Sequence, residues 1–238
     1  MGAAQDKPQQ CPAGSGSMLA THAPLLQAMS VVLASGSPRR RELLAVVLGP
    51  EVPFLVVPSG FAEDLPKGDD PEVYCMRTAT AKGREVWSRC EAAASGAGGA
   101  CAARSARQLV ISADTIVVSP AGKVLEKPAN AEEATQMLTE LSGASHKVYT
   151  GVALFGNEKE LSFCECTTVT FSKLTPAAIA AYVSSGDPFD KAGGYGIQGA
   201  AGAFVEKIDG CFFNVVGLPV NRLCRMLDTF LQSSMPGE

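Results

Sequence analysis

Asp114 interrupts "LVISADTIVV", a run so apolar that the residues around it must be largely buried. An unpaired carboxylate there is costly unless cations, a metal or hydrogen bonds offset it. The plain alternative is an aspartate at a strand end or bulge, bonded to backbone. A second anomaly lies upstream. "VVLASGSPRRRELL" reads as strand, turn and helix start, with Ser37 as N-cap and Pro38 at the first helical position. Arg39, Arg40 and Arg41 then crowd the positive end of the helix dipole, each opposing it by about 0.3–1 kcal/mol when exposed. The other inferred helices avoid this. Asn130 with Glu133 makes a capping box, Asp70-Pro71-Glu72 puts acid in the first turn, and Thr175-Pro176 opens without charge. A bound anion resolves the anomaly, since free backbone N–H groups and guanidinium forks together make a phosphate site. A solvated basic face, with Arg41 beside Glu42, is the other reading.

Further charges belong with these. Glu126 and Lys127 stand in "LEKP", Glu63 lies in the polar loop "PSGFAEDLPKGDD", and Lys82 falls within the long helix that opens at Asp70. Each lysine has a solvent-facing alternative on spacing alone. What is missing narrows the chemistry. His22 and His146 are the only histidines, so a Ser-His-Asp relay or a histidine-rich zinc site has little to draw on. No G-x-x-x-x-G-K-[ST] loop occurs, and "GYGIQG", Gly194 to Gly199, is neither preceded by an apolar strand nor followed by a helix, which excludes the dinucleotide-binding reading. Carboxylates and cations remain. They suit hydrolysis of a phosphoanhydride: Arg and Lys hold the polyphosphate, a divalent ion bridges carboxylate and phosphate oxygens, and one carboxylate takes a proton from the attacking water.

The elements that must position these groups alternate. Strands at Val31–Ala34 and Val52–Val57 flank the arginine helix, and "QLVISADTIVVSPAGKVLEKP" reads as two strands around Ser-Pro-Ala-Gly. A hairpin turning near Gly156 and Asn157 follows the Asn130 helix. After the Thr175 helix come a loop with short strands and a last helix, with Leu223, Met226, Leu227 and Phe230 on one side. This pattern predicts an α/β fold on a mixed sheet. The expected organisation is a flexible tail over 1–29, one domain over 30–232 with an Ala/Gly-rich surface insertion at 92–107, and a short tail over 233–238.

The chain has 238 residues, 46% of them hydrophobic and 18% charged, which suits a soluble globular protein with a real core. A net charge of −4 argues against nucleic acid as the main partner and favours a small anion bound locally. No apolar run is long enough to span a membrane. Eight cysteines without a C-x-x-C pair read as buried thiols in a reducing, cytoplasmic setting.

"LASGSPRRRELL", "SADTIVV", "LEKP", "LSGASHKVYTGVAL" and "DKAGGYGIQGAAGAFVEKIDG…NVVGLP" together resemble the Maf family of nucleoside triphosphate pyrophosphatases, in family order from Val31 to Leu231. The resemblance implies cleavage between the α and β phosphates, giving a nucleoside monophosphate and pyrophosphate with Mg²⁺, or Mn²⁺ or Co²⁺ in its place. It assigns Ser35, Arg39 and Arg40 to phosphate binding and Asp114 to the general base. Glu63 and Lys82 join the catalytic set, Glu63 and Asp114 hold the metal, and Lys127 and Gln198 contact substrate. "KAGGYGIQG" looks like the branch acting on dTTP, UTP and modified pyrimidine nucleotides, with an amide at Gln198 able to read a pyrimidine edge. The implied fold is one elongated α/β unit of two lobes around a central cleft, Maf/ITPase-like, often paired as a homodimer. The rival readings are a 7-methyl-GTP pyrophosphatase and a non-catalytic nucleotide-binding regulator of cell division.

Overall fold

The computed structural model describes residues 19–232 apart from Glu63, Asp64, Lys67, Asp69, 94–106 and Glu158. Seven strands form a mixed sheet: β1 (Ser30–Leu33), β2 (Phe54–Val56), β3 (Gln108–Val118), β4 (Val124–Leu125), β5 (Ser145–Gly156), β6 (Lys159–Phe171) and β7 (Val205–Asp209). The order is β2-β1-β3-β5-β6-β7, with β4 paired to β3 beyond the end of β1. β1 runs parallel to β2 and β3, and the remaining pairs are antiparallel. β3 is buried along nearly its whole length, because helices cover both faces of the sheet there.

The helices are α1 (Ala23–Gln27), α2 (Pro38–Leu48), α3 (Pro71–Ala92), α4 (Ala131–Leu141), α5 (Pro176–Ser184), α6 (Phe212–Val216) and α7 (Val220–Gln232). All four inferred N-caps are in place: Ser37, Asp70, Asn130 and Thr175 each accept a first-turn backbone N–H. The segment read as a loop with short strands holds one strand, β7, and the helix α6, with three 3₁₀ turns before them. Residues 20–27, read as part of a tail, form a 3₁₀ turn and α1, and Leu19 and Leu26 are buried in the core beside β1. Most of the expected insertion, and all of the C-terminal tail, lie outside the described residues.

Two features of this packing set up the site. First, β1 pairs with β3 only as far as Leu33 opposite Ile111, and β4 takes up the same edge at Val117. Between them that edge of β3 opens at the carboxyl end of a parallel strand, where α/β sheets place ligands. Second, α3 lies directly on β3 and β5. A Cβ on Gly83 would sit 2.2 Å from Phe155 Cε2 and 2.5 Å from Ser112 Oγ, and one on Gly151 would sit 2.5 Å from the Cys75 carbonyl oxygen. Only glycine permits that approach. The apolar core gathers mainly into two clusters: one is built on β1, α2 and α7, the other on α4, α5 and the far ends of β5 and β6.

Among the described residues no helix is long and apolar enough to cross a membrane. Cys75, Cys164 and Cys224 are buried free thiols, with Cys211 half-buried and Cys166 exposed. Cys90 is disulfide-bonded, which departs from the expectation of thiols throughout.

Candidate active site

The Ser-Gly-Ser-Pro turn carries the chain from β1 into α2, and the first helical turn points its arginines three different ways. Arg40 folds back under the turn: Nε donates to the Gly217 carbonyl at 2.9 Å, one terminal nitrogen to Ser35 Oγ at 3.2 Å and the other to Thr115 Oγ1 at 2.9 Å. Arg39 reaches across to Asp190 Oδ2 at 3.3 Å. Arg41 is exposed, in line with a solvated charge. Ser35 is buried and braces the turn by accepting from the Ser37 N–H as well. Two of the three cations thus face inward at the positive end of α2, where an anion is favoured.

Asp114 lies in the open stretch of β3 and is 6% exposed. Its partner is Lys82 of α3, whose Nζ stands 2.6 Å from Asp114 Oδ1. The long helix therefore does for Asp114 what the apolar run demanded: it brings a cation to a carboxylate that is largely buried yet opens onto the cleft. The backbone around Asp114 is held as well, since Cys75 Sγ donates to its carbonyl oxygen and accepts from the Gly151 N–H. Burial among these groups pushes the Cys75 thiol well above its ordinary range, so it serves as a neutral bridge.

Arg39, Arg40, Lys82, Asp114, Lys127 and Gln198 all line one cleft of about 540 Å³ that lies between the two core clusters. Lys127 and Gln198 are exposed on its wall. Ser35 supports the cleft from beneath Arg40. Glu63 lies outside the described residues. The far wall is the segment from Asp187 to Gly199, and sequence reasoning gave its charges no role. Lys191 donates to the backbone oxygen and carboxylate of Asp187 and to the carboxylate of Asp190. Gly196 leaves room for the Lys191 stem, which a Cβ would meet at 2.5 Å. Tyr182 donates to Asp187 at 2.7 Å, and this bond is the main cause holding the Asp187 carboxyl below its usual range. Burial works to raise Asp190, but Lys191 and Arg39 outweigh it and leave that carboxyl lowered too. The i, i+4 spacing of Asp187 and Lys191 was the available signal for this cluster.

Tyr195 anchors the same wall. Its hydroxyl lies 2.8 Å from His146 Nε2, and its ring meets His146 and Phe171 edge-on. Burial pushes the Tyr195 hydroxyl up and holds His146 down at about 4, so both are neutral packing groups at pH 7. No three His, Cys, Asp or Glu side chains among the described residues form a closed metal cage. Mg²⁺ needs none, because it binds through one or two carboxylates together with phosphate oxygens and water. Asp114 and Glu126, both on the cleft wall, fit a cation of that kind arriving with a polyphosphate.

Fold and site together define an α/β protein whose cleft sets helix-borne guanidinium groups opposite a buried aspartate. The family model described as Maf-like protein matches residues 30–230. The chain is 44% identical over 205 residues to a dTTP/UTP pyrophosphatase of Clostridium perfringens (strain 13 / Type A), covering 85% of this chain and 97% of that one. It is 43% identical over 200 residues to proteins of the same name from Bacillus cereus (strain ATCC 14579) and Bacillus mycoides (strain KBAB4), each covering 84% of this chain and 95% of the relative. The chain belongs to the Maf-like family.

Proposed function

We propose that this protein hydrolyses pyrimidine nucleoside triphosphates, dTTP and UTP foremost, to the nucleoside monophosphate and pyrophosphate. The observation that carries the reading is the cleft itself: Arg39 and Arg40 on one wall, Lys127 on another, and the Lys82–Asp114 pair at the open edge of β3. Relatives of 43–44% identity named dTTP/UTP pyrophosphatase support it.

In this reading Arg39, Arg40 and Lys127 receive the polyphosphate, and Arg39 exchanges its exposed contact with Asp190 for phosphate oxygens. Asp114 takes a proton from a water molecule. The water oxygen bonds to the α phosphorus, the bond from that phosphorus to the α,β-bridging oxygen breaks, and pyrophosphate leaves with the electron pair. Lys82 orients the carboxylate and neutralises its buried charge. A divalent cation, Mg²⁺ foremost, would supply charge neutralisation along the polyphosphate, with Asp114 and Glu63 as the ligands we assign and Glu126, which lines the same cleft as Asp114, as a further carboxylate. Gln198 stands on the exposed part of the wall, where an amide meets the polar edge of a pyrimidine.

A nucleotide panel tests this. Purified protein with Mg²⁺ is given dTTP, UTP, CTP, ATP, GTP and 7-methyl-GTP, and pyrophosphate release is followed with and without a chelator. Chelator-sensitive release fastest from dTTP and UTP is expected. Preference for 7-methyl-GTP overturns the substrate assignment, and nucleotide binding without release turns the reading into one of a regulator.

A further inference from the structure

Asp114 and Thr115 are consecutive in β3, so their side chains leave opposite faces of the strand. Asp114 meets Lys82 of α3 on one face, and Thr115 meets Arg40 of α2 on the other. The register of one strand therefore sets both the carboxylate and the guanidinium.

The hydrogen bonds behind Arg40 have a fixed direction. Thr150 Oγ1 donates to the backbone oxygen of Asn214 at 3.0 Å, which commits its proton. Thr115 Oγ1, 3.0 Å from Thr150 Oγ1, must then donate to it, and its remaining lone pair accepts from Arg40. The chain runs from guanidinium to Thr115 to Thr150 to a main-chain carbonyl. Its end is tied into the core: Asn214 is fully buried, and its amide nitrogen donates to the Val148 carbonyl and to Thr167 Oγ1. The same helix, α6, ends at Gly217, whose carbonyl accepts from Arg40 Nε. "NVVGLP" thus acts at both ends of the cradle, with Asn214 as anchor and Gly217 as acceptor.

We infer that Thr115 is a positioning residue, whose hydroxyl sets the plane of the Arg40 guanidinium against the polyphosphate and holds it in register with Asp114. The inference rests on the pyrophosphatase reading and adds the group that aims the phosphate contact. A guanidinium whose plane is loose loses bidentate geometry, and small misplacements at a reacting centre are expensive in rate.

The test compares Thr115→Val, which keeps the shape and removes the hydroxyl, with Thr115→Ser, which restores it. Full-length protein with Mg²⁺ is assayed for kcat and KM on dTTP, for Kd of inorganic pyrophosphate by calorimetry, and for thermal unfolding. The valine variant is expected to raise KM and the pyrophosphate Kd about tenfold and to lower kcat by a similar factor. The serine variant should return all three to within about twofold. Equal behaviour of the two variants, or an unmoved pyrophosphate Kd in the valine variant, overturns the inference. If the valine variant does not fold, Thr115→Ala against Thr115→Ser carries the same comparison. Absence of pyrophosphate release from the unaltered protein counts against the functional reading, and the pyrophosphate Kd still tests the positioning role.

Discussion

At the scale of single residues, the account depends on a carboxylate placed where a carboxylate is expensive. Asp114 is buried, is held by Lys82 at 2.6 Å and faces the same cleft as Arg39 and Arg40. Replacing it with asparagine keeps the shape and removes the proton acceptor. Asp114→Asn should lower pyrophosphate release at least about 100-fold, the scale of general-base catalysis, while the Kd for dTTP stays within a few-fold. Release assays and calorimetry read the two separately, and an unchanged rate removes Asp114 from the chemistry. The residues that were legible in the sequence were those that broke a local rule. Asp114 broke an apolar run, and the arginines stood at the wrong end of a helix. Asp187, Asp190 and Lys191 broke nothing, because they satisfy one another within a short turn, so no unpaired charge drew attention to them. Thr115 was hidden for a similar reason: a threonine in a strand is ordinary until its hydroxyl is seen to accept from a guanidinium.

At the scale of elements, caps and periodicity carried the reading well for α2, α3, α4 and α5, whose N-terminal signals are local hydrogen bonds. The hairpin of β5 and β6 turns where the Gly156-Asn157 signal placed it. The stretch from Asp187 to Val216 was read less well. Its 3₁₀ turns depend on Gly193 and Gly194 at positive φ and on Tyr195 seated against β5, and such tertiary anchoring leaves no periodicity behind. That anchoring has a measurable consequence. His146 is 2% exposed, and burial holds it at about 4 in the folded chain against 6.5 when unfolded. Between those values the unfolded chain binds more protons, so stability is complete above about pH 6.5 and falls as pH drops toward 4. Urea unfolding from pH 7 to 4.5 should show this loss, approaching about 3 kcal/mol, and His146→Gln should flatten it. An equal slope in the variant assigns the acid sensitivity to other groups.

At the scale of the whole molecule, net charge and site charge point in different directions. The chain carries −4 overall, yet among the described residues the cleft is lined by five cations and four carboxylates. Composition read this as a small anionic ligand bound locally, and the cleft between the two core clusters has the size for one. The two clusters share β3, which is why its open edge can serve both walls. The central claim is that water attacks the α phosphorus of a nucleoside triphosphate held in this cleft. Turnover of dTTP with Mg²⁺ in ¹⁸O-labelled water, followed by ³¹P NMR and mass spectrometry, tests it most directly. The account predicts dTMP carrying one ¹⁸O and pyrophosphate carrying none; label in the pyrophosphate, or dTDP with inorganic phosphate as products, contradicts it.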